Sequence, residues 1–218
     1  NILETCKKNN IEKFIFISSA AVYGLGNRSI FKETDPCFPV SNYALSKYWG
    51  EQQTRLYYEL YNLPTTSIRF FSVYGSPQIP KKGSHSWAVA IFGALAKRGK
   101  PITVFGDGNQ IRDFTHVSDI AESVVLSIDK TSTNGQFFNV GTGKATKIND
   151  IVEKIFQHVT PVPINFKPYP KGDPIGGYSD TTLMKKLLDW EPKITLDEGI
   201  KEYFGWLNDH EHIIPDWV

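Results

Sequence analysis

Residues 14–24 read FIFISSAAVYG, and residues 43–51 read YALSKYWGE. The first stretch is a short apolar run of β-formers that breaks into serines and small residues, the pattern of a buried strand over Lys13–Ser19. The second opens a long helix, predicted over residues 42–62, with Ser41 as its N-cap and Asn62 and Pro64 at its stop. Strand followed by helix is the repeating unit of an α/β protein, and the rest of the chain continues it.

Thr65–Phe71 reads as a second strand, and SPQIPKKGSHS (76–86) as a loop by composition. A helix over Trp87–Lys97 is closed by Gly99 and Pro101, and a short strand, Ile102–Phe105, is closed by Gly106-Asp107-Gly108. A helix over 118–129 takes Ser118 as its cap, and the strand Phe137–Val140 runs into Gly141-Thr142-Gly143. Ile148, Ile151, Val152, Ile155, Phe156 and Val159 then form one apolar helical stripe. The last helix starts with a capping box, Thr195 and Glu198, and turns Leu196, Ile200, Tyr203, Phe204 and Leu207 inward. Near-continuous apolar strands alternating with amphipathic helices predict a parallel sheet. The loop at 76–86 and the proline-rich segment 160–180 are the candidate passages between lobes.

Composition limits what such a chain does. Its 218 residues suffice for a core, and 40% hydrophobic with 22% charged residues excludes wholesale disorder. Lys plus Arg number 24 and Asp plus Glu 23, so bulk charge directs the chain to neither nucleic acid nor a membrane surface. No apolar run reaches the length of a membrane span. Cys6 and Cys37 make no disulfide framework, which points to a reducing, cytoplasmic compartment. The chain starts at Asn1 and its only methionine is Met184, so an N-terminal part is expected to precede these residues.

The chemistry gathers at the first two stretches. Tyr43 and Lys47 stand four apart on one helical face, where an ammonium favours a phenolate over a phenol. A phenol so placed exchanges a proton with a substrate hydroxyl, and a serine at the end of a neighbouring strand hydrogen-bonds the same oxygen. A hydride leaving that carbon needs an acceptor from outside the polypeptide. Taken alone, Tyr-x-x-x-Lys is an ordinary surface pair; the serine-ended strand upstream of it is what directs attention to the site. His116 reads as a structural histidine. His210 and His212, flanking Glu211, make too sparse a set for a metal, and no metal site is expected.

FIFISSAAVYG and YALSKYWGE are joined by IRFFSVYG (68–75), ITVFGDGNQIRDFTHVSDIA (102–121), FNVGTG (138–143) and YSDTTLMKKLLDWEPKITLDEGI (178–200). In that order they resemble the extended short-chain dehydrogenase/reductase family, in particular its nucleotide-sugar epimerases and dehydratases. The resemblance implies a Rossmann-like parallel sheet binding NAD, made by residues 1–75 with part of 110–145 returning to it. It also implies a smaller α+β lobe, mainly 76–218, binding a nucleoside diphosphate sugar. The family's glycine-rich phosphate turn and its acidic ribose-binding residue are not in this sequence.

By the same resemblance Ser19, Tyr43 and Lys47 are the catalytic serine, tyrosine and lysine. All three face the cofactor, Lys47 at the nicotinamide ribose, and Phe71 packs beside the nicotinamide. Ser72 stands where the family has an asparagine on the substrate diphosphate. Thr103, Val104 and Phe105 match the strand lining the nucleobase, and Arg112 the diphosphate-binding arginine, whose fork suits phosphate oxygens. Asp173 matches a ribose contact, with Pro170 in place of a basic residue and Lys171 beside it.

Two departures shape the expected activity. Dehydratases and sugar-acid decarboxylases carry acids after the active-site serine or threonine; here Ala20 and Ala21 stand there, so elimination is not expected. What remains is 4-epimerisation through a 4-keto intermediate. Gly177 replaces the bulky residue of glucose/galactose-type enzymes, which tilts the expectation toward UDP-N-acetylhexosamines beside UDP-glucose. UDP-uronic acids rank second, because SPQIPKKG lacks those enzymes' arginine motif. An NADP-dependent reductase with the same triad and an inactive nucleotide-sugar-binding protein are the rival readings. The family usually dimerises through a four-helix bundle containing the Tyr-x-x-x-Lys helix, so a homodimer is a further expectation.

Overall fold

A computed structural model describes residues 1–24, 29–82, 87–169 and 176–218. In chain order the elements are α1 (Ile2–Lys8), β1 (Phe14–Ser19), a 3₁₀ turn (Ala20–Tyr23), β2 (Ile30–Phe31), α2 (Asn42–Tyr61), β3 (Thr65–Phe70), β4 (Ser72–Tyr74) and α3 (Ala88–Lys97). Then come β5 (Ile102–Phe105), β6 (Ile111–Arg112), β7 (Phe114–His116), α4 (Val117–Asp129), β8 (Gln136–Val140), β9 (Thr146–Lys147) and α5 (Ile148–Phe156). β10 (Ile164–Lys167), β11 (Tyr178–Ser179), α6 (Thr182–Leu188) and α7 (Leu196–Asp209) complete the chain.

The fold is α/β. β1, β3 and β8 form a parallel sheet in that order, with Ile17 opposite Ile68 and Ile68 opposite Phe138. Parallel neighbours need a crossover, and α2 supplies the one from β1 to β3. Its ends are as expected: the Ser41 hydroxyl accepts from the Ala44 N–H, and Asn62 closes it in the left-handed conformation. Central β3 is buried almost throughout, although it reads TTSIRF. Its polar groups are paired instead of excluded, Thr65 donating to the Thr54 carbonyl and Thr66 to the Thr133 carbonyl.

α2 inverts the usual amphipathic pattern. Its buried residues are Ala44, Glu51 and Thr54, while Leu45, Trp49, Leu56 and Leu60 face outward. Gly50 lies so close to β1 that a Cβ there would overlap the Phe16 ring. The helix therefore seats by close approach and polar pairing more than by a greasy stripe.

A second core joins α3, α5, α7 and β5 through Val89, Phe92, Ile102, Ile151, Ile155, Ile200, Tyr203 and Phe204. The predicted capping box of α7 is present, Glu198 N–H donating to Thr195 Oγ1 and Thr195 N–H to Glu198 Oε2. Val159 lies beyond the end of α5 at Phe156 but still packs on this core.

Two readings are corrected. The cap of α4 is His116, not Ser118: His116 Nδ1 accepts from the Ser118 N–H at 3.3 Å. The segment 160–180 is not wholly a connection, because β10 pairs in parallel with β5. α6 packs on the three-stranded sheet, where Met184, Leu188 and Trp190 join Ile68, Phe138 and Val140. Of the loop at 76–86, residues 76–82 hold no helix or strand, and 83–86 lie outside the described residues.

Asp113 ties three segments together with no exposure of its own. Its carboxylate accepts from the N–H and hydroxyl of Thr142 (2.8 and 2.6 Å), the N–H of Gly143 (3.0 Å), and the N–H and hydroxyl of Ser179 (3.1 and 2.6 Å). Asparagine would turn an amide NH2 toward donors. Asp113→Asn is expected to lower unfolding free energy by about 3 kcal/mol or more, read from the urea midpoint. A midpoint unchanged from wild type would refute this role.

Candidate active site

The C-terminal edge of the parallel sheet brings the candidate residues together. Ser18 and Ser19 end β1 and point to opposite faces, as successive strand residues must. Ser18 is buried, and Ser19 is half-buried at the open edge. Ser19 caps the 3₁₀ turn, its Oγ accepting from the Ala21 N–H at 3.2 Å. Ala20 and Ala21 thus lie inside the turn.

Tyr43 and Lys47 occupy the first turns of α2, on the row that continues to Glu51. Tyr43 is 56% exposed, so its phenol is open to a ligand. Lys47 Nζ sits 5.7 Å from the Tyr43 ring centroid and donates to the Ile17 carbonyl at 2.9 Å. That hydrogen bond fastens the helix to β1 two residues before Ser19. The arrangement joins a strand-end hydroxyl, a phenol and an ammonium on one rim. This donor set suits a ribose and an amide ring, so the residues fit the nicotinamide nucleoside end of NAD.

Phe71 is half-buried beside Val22, Tyr23 and Phe31 at the same rim. The next residue, Ser72, donates its N–H to the Asp113 carbonyl at 2.9 Å, and β4 pairs with β7. Ser72 and Arg112 are therefore neighbours through Asp113. Arg112 donates from Nη1 to the Ile111 carbonyl and from Nη2 to the Tyr169 hydroxyl, both at 2.9 Å.

Two of the matched positions are packed against the interior. In β5 burial alternates: Val104 is 1% exposed in the second core, whereas Thr103 and Phe105 are half-buried on the opposite face. Val104 thus offers a site only its backbone. At Gly177 the missing side chain leaves no vacant space, because a Cβ would overlap the Phe31 ring. Packing against Phe31 accounts for the glycine there. Asp173 lies outside the described residues.

Three residues escaped the sequence reading. Tyr169 holds Arg112, and no local motif marks it. Glu51 and Arg69 pair beneath the rim, Arg69 Nε and Nη2 donating to the two carboxylate oxygens at 2.8 and 2.7 Å. The spacing Tyr43–Lys47–Glu51, four and four, was the available signal. Arg69 Nη1 also donates to the Tyr23 hydroxyl at 3.0 Å, which donates to Asn139 Oδ1 at 2.7 Å. Burial pushes the Tyr23 phenol far up, which keeps it a donor.

Glu33 lies on the same flank and accepts from the Asn139 N–H at 2.8 Å. Burial raises its carboxyl above the ordinary range, against the lowering effect of that hydrogen bond. A carboxyl raised in the folded state weakens folding once pH passes its unfolded value, and the penalty is absent below that value. Glu33→Gln keeps the acceptor and removes the charge. It is expected to raise the unfolding midpoint at pH 7, with the gain fading toward pH 4, as read by thermal unfolding at both pH values. Equal gains at the two pH values would contradict the assignment.

Residues 1–141 match the sequence profile of the NAD dependent epimerase/dehydratase family. This chain belongs to that family.

Among solved structures, the UDP-glucose 4-epimerase of Thermotoga maritima with UDP-glucose is 32% identical, with a TM-score of 0.88 over 95% of this chain and 67% of that one. The UDP-glucuronic acid 4-epimerase of Bacillus cereus, in complex with UDP-glucuronic acid and NAD, is 28% identical, with a TM-score of 0.87 over 95% and 65%. The UDP-glucuronate 4-epimerase of Thermodesulfobacterium geofontis is 30% identical over 216 residues, 98% of this chain and 65% of that protein. The chain spans about two-thirds of the length of the curated relatives it matches, 64% of one Methanocaldococcus jannaschii protein. The Rossmann-like reading of the fold holds for this family member, and the family is NAD-dependent by its description. Among the described residues no helix is long and apolar enough to cross a membrane.

Proposed function

We propose that these residues belong to an NAD-dependent 4-epimerase of a UDP-sugar. The observation that carries this is the single rim holding Ser19, Tyr43 and Lys47, with Arg112 held near Ser72 on the adjoining strands. Lys47, Tyr43, Ser19 and Phe71 would hold the nicotinamide end of NAD, which when bound supplies a reversible hydride acceptor for the sugar C4. The Tyr43 oxygen takes the proton of the 4-hydroxyl and returns it when the alcohol re-forms. It is a phenolate before it takes the proton and after it returns it, and a phenol while the 4-keto sugar exists; the Lys47 ammonium stands beside its ring, 5.7 Å from the centroid. The Ser19 hydroxyl orients the same substrate oxygen, and the Arg112 guanidinium pairs with the diphosphate. With alanines at positions 20 and 21, the turn holds no acid for elimination, so oxidation and reduction at one carbon is the chemistry supported.

The test is proton NMR of the intact natural polypeptide with NAD and UDP-glucose, UDP-N-acetylglucosamine or UDP-glucuronic acid in turn. Inversion at C4 of one of them is expected. No inversion of any would overturn the reading, consumption of NADPH would replace it with a reductase, and tight binding without turnover with a binding protein.

The outward stripe of α2 supports a homodimer as part of this reading. Leu45, Trp49, Leu56 and Leu60 are 43%, 60%, 42% and 61% exposed along one helix, a seam that a second copy would cover. Trp49→Glu is expected to halve the mass seen by light scattering, and a monomeric wild type would exclude the dimer.

A further inference from the structure

We propose that the buried Glu51–Arg69 pair, with Ser18, is a positioning device that sets the Tyr43–Lys47 turn against Ser19. The proposal rests on the epimerase reading for what the geometry serves, but not for the geometry.

Glu51 is 3% exposed and Arg69 2%. Glu51 lies one turn below Lys47 and two below Tyr43, so the row runs from the open rim into the middle of the sheet. Ser18 Oγ donates to Glu51 Oε1 at 2.5 Å, the same oxygen that accepts from Arg69 Nε. Ser18 is the chain neighbour of Ser19. Arg69 Nη1 holds Tyr23, the last residue of the turn that Ser19 caps. The guanidinium lies 4.8 Å from the Tyr23 ring centroid and 4.6 Å from that of Phe137, clamped between two faces. One carboxylate and one guanidinium therefore connect the helix with Tyr43 and Lys47, the strand with Ser19, and the turn after it.

Stability alone does not account for such a pair. A buried ion pair replaced by apolar residues of like volume is often neutral or stabilising. Position does account for it. The buried face of α2 is low in relief, with Ala44, Gly50 and Thr54, so apolar contact leaves the helix free to slide or roll on β1. A two-point fork fixes both register and rotation. Tyr43 lies two turns away on a rigid helix, so a shift at Glu51 reappears at the phenol.

The experiment compares wild type with the double variant Glu51→Met/Arg69→Met in the intact polypeptide. The double variant is expected to fold with an undiminished Tm and a KM for the UDP-sugar within about threefold of wild type, while kcat falls about 30-fold or more. Backbone amides at 43–47 are expected to exchange about tenfold faster relative to those at 54–58. A folded double variant with unchanged kcat and unchanged exchange at 43–47 overturns the proposal. Should the double variant not fold, Arg69→Lys keeps the charge without the fork, and the same split between kcat and KM is expected; an unchanged kcat there is equally fatal. If wild type inverts no sugar, the epimerase reading fails by itself, and amide exchange still decides the positioning role.

Discussion

Tyr43→Phe is expected to lower kcat by about 10³-fold while leaving the KM for the UDP-sugar within a few fold. The substitution removes one oxygen from a side chain that is 56% exposed and belongs to no core cluster of the described residues. Folding should therefore be unaffected, and a Tm within a degree or two of wild type is the control. The ring still covers the rim, so ligand packing survives. Only proton transfer at the 4-hydroxyl loses its partner. A variant retaining a tenth or more of wild-type kcat would show that another group moves the proton, and the assignment of Tyr43 would fall.

Arg69→Ala carries the largest expected stability effect. The substitution strands Glu51 in the core, with Ser18 the one hydrogen-bond partner left to its carboxylate among the described residues, and leaves the Tyr23 hydroxyl short of a donor. An uncompensated buried charge of this kind lowers unfolding free energy by about 3–5 kcal/mol. Urea unfolding of wild type, Arg69→Ala, Glu51→Ala and the double alanine variant closes a cycle. The double is expected to be more stable than Arg69→Ala, because removing the stranded carboxylate relieves the penalty. Additive losses would mean that the two side chains do not interact energetically.

The first prediction concerns a residue of α2 and the second an α2 residue's partner on β3, and the two were unequally legible. Tyr43 and Lys47 are four residues apart and face the same way whatever surrounds them. The Ser41 cap and the Thr195–Glu198 box are equally local, since donor and acceptor lie within one turn. Glu51 stands at the next step of the same row, but its partner Arg69 lies on strand β3, and no periodicity signals that meeting. The α2 helix departs from the ordinary pattern in a second way. Leu45, Trp49, Leu56 and Leu60 face out while Glu51 and Thr54 are buried, because its seat on β1 is made by Gly50 against Phe16 and by the ion pair.

Other differences have the same origin. Val104 sits inside a motif whose strand was read correctly, but which residues of a strand face the core depends on what lies on each side of it. Gly177 invited a reading as free space until Phe31, from a distant strand, was found filling it. His116 took the capping role from Ser118 because β7 delivers its ring to the start of α4, and α6 joined the first core because the chain doubles back.

The sequence by itself determined the alternation of strands and helices, the Ser41 and Thr195–Glu198 caps, and the shared helical face of Tyr43 and Lys47. Each depends on contacts within a few residues, or on an apolar period that only one kind of element satisfies. Tertiary structure alone decided which buried polar groups pair, which strand faces are dry, and where a glycine is required. Those outcomes depend on atoms brought together from distant parts of the chain, in an interior where every polar group must find a partner.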